Sequence, residues 1–491
     1  MYTLPDYRHG AYGMTELAGA KIAAQSQNAI VIVGTAPVNT VSGGEKNVNR
    51  PIAVQNMAEA KKFFGYSDQW ADYTLCEAMH VFFDLNGVGP LVLINVLDPV
   101  KHKADQKTTA SLTPANGRIT IAAAGNIIMD SVSVDGKTKG TDYSMNYSPD
   151  RAILTIAEVT PGALGSEELS VSYDTVDPSA VTAEDVIGLT DDEGSNAGLY
   201  AVRNVYQETG FIPSYLLAPG FGSIPAVHKA MITVSQKINN HWDVYMFVDL
   251  PLVDEDGGEL TFGSAAAWKQ TNGYTQENET VYFPMALGTD GKKYHLSVVS
   301  AANFQKLLVA QDGIPYKTAS NTECDFIQNL YMGEKNMGRI WGDDMVNEKL
   351  NKNGIASAAF VGGRWAIWGC HSADYNQTDA TEINVAETNR MMLFYLSNDF
   401  QHRRMRSVDK PMTRNDIASI VAQEQARLDA LIKNGALTYG TVSLDADANG
   451  ISDLIKGDYT FAFRVTTTPL AKSMTAIVSW TNDGFYTYFA S

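Results

Sequence analysis

Residues 29–34, Ala-Ile-Val-Ile-Val-Gly, form a continuous apolar run closed by glycine, the pattern of a strand buried on both faces. Helical periodicity follows over residues 56–64, stopped at Gly65, and again over 74–85, where Leu75, Met79, Phe82 and Phe83 share a face. A second apolar strand over 91–96 closes a β-α-α-β unit, and strands joined by helical crossovers predict a parallel sheet. The same grammar resumes later, with a strand over 215–218, a helix over 225–238 and a strand over 244–248. In that helix Val227, Met231, Val234 and Ile238 stand at helical spacing, with Pro225 suited to the first turn. One α/β domain is therefore expected to be interrupted and resumed, over 21–101 and 179–345.

Between these halves, over 102–178, the pattern changes to short alternating runs punctuated by turn residues. The runs are 119–122, 131–134 before Asp135-Gly136, 152–156 and 169–173. They predict a small inserted all-β domain of sandwich type, seated where both chain ends leave the parent at its surface. The last third, over 346–480, reads as an α+β domain. A single strand is expected over 360–368, followed by a helix over 383–399. A well-marked helix follows from Thr413 to Asn434, with Thr413 and Asp416 as a capping box and Gly435 as the stop. Its apolar stripe is Ile417, Ile420, Val421, Leu428, Leu431 and Ile432. Two strands, over 459–466 and 475–480, complete it.

Composition narrows the function. At 491 residues the chain exceeds one core, and about two to four domains are expected. With 45% hydrophobic and 19% charged residues it has ample material for packed interiors. Lys and Arg number 37 against 55 Asp and Glu, so the net charge of -18 repels phosphate backbones and anionic membranes and excludes nucleic acid as a main partner. Cys76, Cys324 and Cys370 are odd in number and widely spaced, which fits buried thiols in a reducing compartment. Neither a signal peptide nor an apolar run of roughly 18 residues is present, which predicts a protein made in the cytosol and not inserted in a membrane.

The two ends are unusual. Phe485-Tyr-Thr-Tyr-Phe489 reads as an aromatic strand without charge or proline, an aggregation hazard if exposed. The start, residues 1–20, carries Tyr2, Tyr7 and Tyr12 with Gly10 and Gly13 and has no helical period, the pattern of an extended arm. Either both ends pair within their own subunit, or each adds a strand to a neighbour's sheet, which in a head-to-tail, non-closing contact builds a helical filament.

Chemical motifs are weak. Lys137-Thr138 after Gly136 lacks the first glycine of a phosphate loop, Ser131 standing in its place, and Gly220 and Gly222 give half a dinucleotide fingerprint, ended by Pro225. Asp445, Asp447, Asn449 and Gly450 begin a calcium loop whose twelfth position is Lys456 where a bidentate Glu belongs, so a polar turn is expected. Cys370-His371 has no second ligand cluster. Asp249, at the C-terminal end of a predicted parallel strand, is the best residue for an enzyme, and no G-x-S-x-G elbow occurs. Arg403, Arg404, Arg406, Lys410 and Arg414 form a basic segment that reads either as a solvated, locally paired face or as a surface for an acidic partner.

The segment His9-Gly-Ala-Tyr-Gly-Met-Thr-Glu16, the run Ala29-Ile-Val-Ile-Val-Gly-Thr-Ala-Pro37 with Pro51-Ile-Ala-Val, and Phe63-Phe-Gly65 resemble the contractile tail sheath family of phages and phage-like particles. So do Leu216-Leu-Ala-Pro-Gly-Phe221, Phe247-Val-Asp-Leu-Pro251 and Ala426-Arg-Leu-Asp-Ala-Leu-Ile-Lys-Asn-Gly-Ala436, and the resemblance runs over nearly the whole chain. It implies an α/β sheath core with a decorating β insertion, an α+β assembly domain and terminal arms (1–20 and 481–491), without catalytic residues, metal or cofactor. Its implied partners are copies of itself in stacked hexameric rings, a tail tube, and baseplate and terminator proteins, assembled in the host cytoplasm into a virion or particle tail. Tyr2, Tyr7, Tyr12, Phe485, Tyr486, Tyr488 and Phe489 would then serve as inter-subunit arms. Gly10, Gly13 and Gly484 would be hinges, and the basic segment would face the tube. Competing readings are an α/β enzyme using Asp249 and a carbohydrate- or cell-binding protein working through the insertion.

Overall fold

The opening apolar run becomes β1 (Asn28–Gly34), buried from Ala29 onward because neighbours cover both of its faces. In this computed structural model, residues 27–122, 124–149, 151–333 and 342–489 are described. β1 pairs in parallel with β3 (Leu91–Asn95) on one side and β10 (Ile212–Leu217) on the other. Beyond β10 follow β11 (Tyr245–Asp249), β12 (Glu279–Tyr282) and β16 (Ile355–Val361), all parallel. Antiparallel β2 (Ile52–Val54) and β17 (Arg364–Trp368) finish an eight-stranded sheet. The expected interrupted α/β domain is thus one sheet, since β1 bridges strands from both halves.

Helices α1 (Met57–Phe64), α2 (Thr74–Met79), α3 (Ala183–Ile187), α4 (Val205–Thr209), α5 (Pro225–Ser235), α6 (Ala265–Thr271), α7 (Leu296–Ala310) and α8 (Asp343–Lys349) accompany the sheet. Asn56 caps α1 by accepting Glu59 N–H, and α2 widens into a π-type turn over His80–Leu85. A small antiparallel sheet of β13 (Met285–Gly288), β14 (Lys293–Tyr294) and β15 (Ile327–Tyr331) lies beside it.

One expected strand and one boundary differ. The strand read over 360–368 is a hairpin, turned at Gly362 and Gly363 with φ of 59° and 81°, values that suit glycine in a two-residue turn. That hairpin joins the large sheet through β12, and Ala373 still lies in the main core, so the α/β domain extends past residue 346.

The insertion holds β4 (Thr108–Leu112), β5 (Arg118–Ala122), β6 (Ser133–Val134), β7 (Tyr143–Tyr147), β8 (Ile153–Glu158) and β9 (Leu169–Tyr173) in two three-stranded antiparallel sheets. Its separate core includes Ile119, Val134, Tyr143, Leu154, Ile156 and Val171. Asn39 of the parent fastens it by donating to the Gly125 and Ile127 carbonyls at 2.9 and 3.0 Å, and Gly43 N–H donates to Asp130 at 2.7 Å.

The C-terminal unit comprises α9 (Glu387–Arg404), α10 (Arg414–Lys433), β18 (Leu437–Leu444), α11 (Ile451–Lys456) and β19 (Phe461–Thr467), and the chain ends in α12 (Asp483–Phe489). β18 and β19 make an isolated antiparallel ribbon over a small core of Met392, Leu396, Leu428, Leu431 and Leu437. The strand expected over 475–480 is absent, because a strand needs a partner edge and this segment meets none. The aromatic strand expected over 485–489 is instead α12, where local hydrogen bonds satisfy the backbone and Asp483 suits the first turn.

Candidate assembly interface

The ribbon stands on α10. Thr413 Oγ1 accepts Asp416 N–H at 3.2 Å while Asp416 accepts Thr413 N–H at 2.8 Å, the expected capping box, and Gly435 at φ 79° ends the helix. β18 then lies close against α10 because Gly440 has no side chain: a Cβ there would come within 3.2 Å of Leu428 Cβ. Phe461, Phe463 and Val465 of β19 cover the same small core and stay half-exposed.

After β19 the chain is pinned twice. Thr468 Oγ1 donates to the Gly435 carbonyl at 2.6 Å, and Lys472 lies over the Tyr375 ring, its Nζ donating to the Tyr375 hydroxyl at 3.3 Å. Beyond these pins Met474, Ile477, Val478 and Trp480 are 88, 90, 92 and 81% exposed, in a stretch without charge or proline. Such a segment is a free strand in composition.

Of the sequence-predicted site residues, Tyr2, Tyr7, Tyr12, Gly10 and Gly13 lie outside the described residues. Gly484, Phe485, Tyr486, Tyr488 and Phe489 lie in α12, with Phe485 and Tyr488 exposed. The basic segment divides. Arg403 grips both oxygens of Glu424 at 2.5 and 2.7 Å and Asp399 at 2.5 Å, and Arg404 Nε reaches Glu424 Oε1 at 2.9 Å. Arg427 joins Asp399 at 2.7 Å, so these charges bolt α9 to α10. Burial pushes the Glu424 carboxyl up, but the two guanidinium groups hold it below the usual range. Arg406, Lys410 and Arg414 remain exposed. Sequence reasoning missed Gln425, Glu424, Tyr375 and Lys472, whose roles depend on partners distant in the chain.

The enzyme candidates have structural occupations. Asp249 Oδ1 accepts Ser297 N–H at 2.9 Å and its other oxygen accepts the Ser297 hydroxyl, so it serves the first turn of α7, and burial raises its pKa. Ligands of open α/β sheets bind at the strand ends where the winding reverses, here between β1 and β10. Thr74 fills that place: it exchanges bonds with Thr35 at 3.0 and 3.3 Å, and a Cβ on Gly34 would fall 2.3 Å from its Oγ1. His295, next to it, pairs with Glu77 at 2.6 Å.

Burial pushes the Cys370 thiol up to about 12 and the His371 imidazole down to about 4. His371 stacks on Tyr375 at 3.7 Å and bonds the Val385 carbonyl. A cleft of about 540 Å³ lies beside them at the root of the terminal segment, between Asn347, Trp368 and Lys472. Asp445 Oδ1 accepts Asp447 and Ala448 N–H at 3.0 Å, making the expected polar turn. Among the described residues no three His, Cys, Asp or Glu side chains converge as a metal site.

No family model matches the chain. It is 22% identical over 490 residues to the tail sheath protein of Burkholderia phage BcepMu, covering 96% of each chain. Its fold matches a chain of the anti-feeding prophage baseplate with a TM-score of 0.55 at 12% identity, covering 96% of this chain and 98% of that one. A chain of the contracted PVC sheath complex, from an extracellular contractile injection system, matches with a TM-score of 0.54 at 12% identity, over 97 and 99%. Over nearly its whole length, the chain is similar in sequence to a phage tail sheath protein and has the fold of a contractile sheath subunit.

Proposed function

We propose that the chain is the structural subunit of a contractile tail sheath, which polymerises helically around a tail tube and shortens to drive it through a target envelope. The observation that carries this reading is an open two-stranded ribbon beside an exposed, uncharged strand-like segment in one molecule. An edge lacking a strand and a strand lacking an edge are complementary, and copies of the chain satisfy both by exchange. Each main-chain bond so formed contributes about 0.5–1.5 kcal/mol net, so several together hold subunits while hinges between them rotate. The whole-length likeness to sheath proteins supports the same reading.

On this reading the subunits stack in hexameric rings, end at baseplate and terminator proteins, and belong to the tail of a virion or phage-tail-like particle. The N-terminal tyrosines and the residues of α12 serve as arms. Arg406, Lys410 and Arg414 are the basic residues left for an acidic tube, since Arg403 and Arg404 are spent within the subunit. Among the described residues no helix is long and apolar enough to cross a membrane.

Electron microscopy of the purified chain is expected to show rings, tubes or long polymers. Deleting residues 1–13 or 485–491 should leave a folded subunit that polymerises poorly. A persistent monomer at high concentration would sink the sheath reading, and normal polymers from both deletions would remove the arms.

A further inference from the structure

The cleft at the root of the terminal segment has one wall in the end of β17. Trp368 is half-buried there, and Asn347 Oδ1, on α8, accepts its Nε1–H at 3.0 Å, which fixes the plane of the indole. The chain then passes through Gly369 at φ 132°, where a Cβ would meet Asn351 Oδ1 at 2.7 Å and Ala356 Cα at 2.9 Å. Glycine is what lets the chain leave β17 this close to its neighbours.

His371 follows. Its Nδ1–H donates to the Val385 carbonyl at 2.8 Å, since a carbonyl can only accept, and the ring stacks on Tyr375. Burial keeps the imidazole neutral near neutral pH, so Nε2 retains its lone pair. Nε2 has no partner among the described residues, although His371 is 6% exposed and lines the cleft. An acceptor so enclosed is costly to keep without a donor, and the cleft is where a donor can reach it. The charges at the cleft are already paired: Glu348 and Lys352 meet at 3.2 Å, and Lys472 is held on Tyr375. Asn321 Oδ1 accepts from Arg364 at 2.9 Å, which leaves its Nδ2 hydrogens without a partner among the described residues. A ligand seated here meets a fixed indole, a neutral acceptor and a neutral amide donor.

We propose that this cleft binds a neutral saccharide of one or two rings. The C–H face of a pyranose is apolar and packs on an indole, while its hydroxyls both donate and accept, which suits His371 Nε2 and Asn321 Nδ2 together. The volume of about 540 Å³ lies within the roughly 300–1,000 Å³ of small-ligand sites, which bounds the ligand at that size. An ion is a poorer fit, because the cleft has no unpaired charge to hold it. The site is independent of the sheath reading.

Isothermal titration of the full-length chain with glucose, N-acetylglucosamine, maltose and N,N'-diacetylchitobiose tests this, with inorganic phosphate as the anionic probe. Wild type is expected to bind at least one of the sugars saturably, one per chain, and to ignore phosphate. Asn321→Asp keeps the size, the left-handed backbone at φ 63° and an oxygen for Arg364, but removes the amide donor. His371→Phe keeps a ring on Tyr375 and removes Nε2. Each should weaken binding about tenfold, the loss of one hydrogen bond, and Trp368→Leu should abolish it. Asn321 is exposed, so Asn321→Asp with an unchanged melting curve carries the comparison even if the buried His371→Phe fails to fold. No saturable binding of any of the sugars at tens of millimolar, or binding of phosphate in their place, would overturn the saccharide. Sugar binding that the folded variants leave unchanged would overturn the cleft as its site.

Discussion

Glu424 joins two helices through one carboxylate, enclosed by Arg403 and Arg404 of α9 and 1% exposed itself. Glu424→Gln keeps the size but leaves two guanidinium groups facing each other without their anion. The variant is expected to lose about 2 kcal/mol, below the cost of breaking a fully buried pair because both arginines keep some contact with water. Because the folded-state pKa is depressed from the ordinary 4.5, the stabilisation is present above that pH and lost as pH falls through the folded value. Denaturant midpoints of the two proteins should therefore differ at neutral pH and converge on acidification. A constant gap down to the acid transition would assign the effect to packing. Arg403 and Arg404, legible in the sequence only as part of a basic run, belong to the interior of this bolt, while Arg406, Lys410 and Arg414 do not.

One carboxylate ties α2 to the start of α7. Glu77 of α2 accepts both the backbone N–H and the imidazole of His295, which precedes α7, at 2.6 Å each. Burial draws the imidazole pKa down, but the Glu77 carboxylate outweighs it and raises it from 6.5 to about 9. A raised histidine stabilises fully below its unfolded value and loses that contribution as pH rises through the folded one. Wild type should accordingly exceed Glu77→Gln most near pH 6, with the gap closing by about pH 9, as read from urea midpoints across that range. This junction fills the place where an α/β enzyme would open its site. Neither Glu77 nor His295 carries a motif, and they meet across 218 positions of chain, so no local pattern announces them.

At the scale of the molecule, the proposed sheath reading asks for two kinds of contact. The ribbon and the terminal segment offer main-chain pairing, which is strong and indifferent to salt. The exposed Arg406, Lys410 and Arg414 offer charge, which on that reading would set register against the tube and would weaken as salt rises. Reversing all three to Glu is expected to leave the melting curve and spontaneous polymers unchanged while reducing assembly on preformed tail tubes. Equal tube-templated assembly by wild type and the reversed variant, measured by co-sedimentation, would free these residues from that role. The insertion has its own core and is fastened to the parent through Asn39.

Where local pattern and burial agree, the sequence alone determined the element. β1 and β3 follow from unbroken apolar runs, α10 from its capping box, stripe and Gly435, and the interrupted α/β order from the return of the same grammar after the insertion. Tertiary structure decided whatever depends on a distant partner. The residues at 475–480 have strand composition but no edge to join, and those at 485–489 turn helical, since an unpaired backbone satisfies itself locally. The hairpin at 355–368 entered the large sheet because β12 offered it an edge. The Gln425 amide reaches the Gly440 and Val442 backbone only because Gly440 lets β18 approach α10, a contact between residues whose types announce nothing until the chain folds.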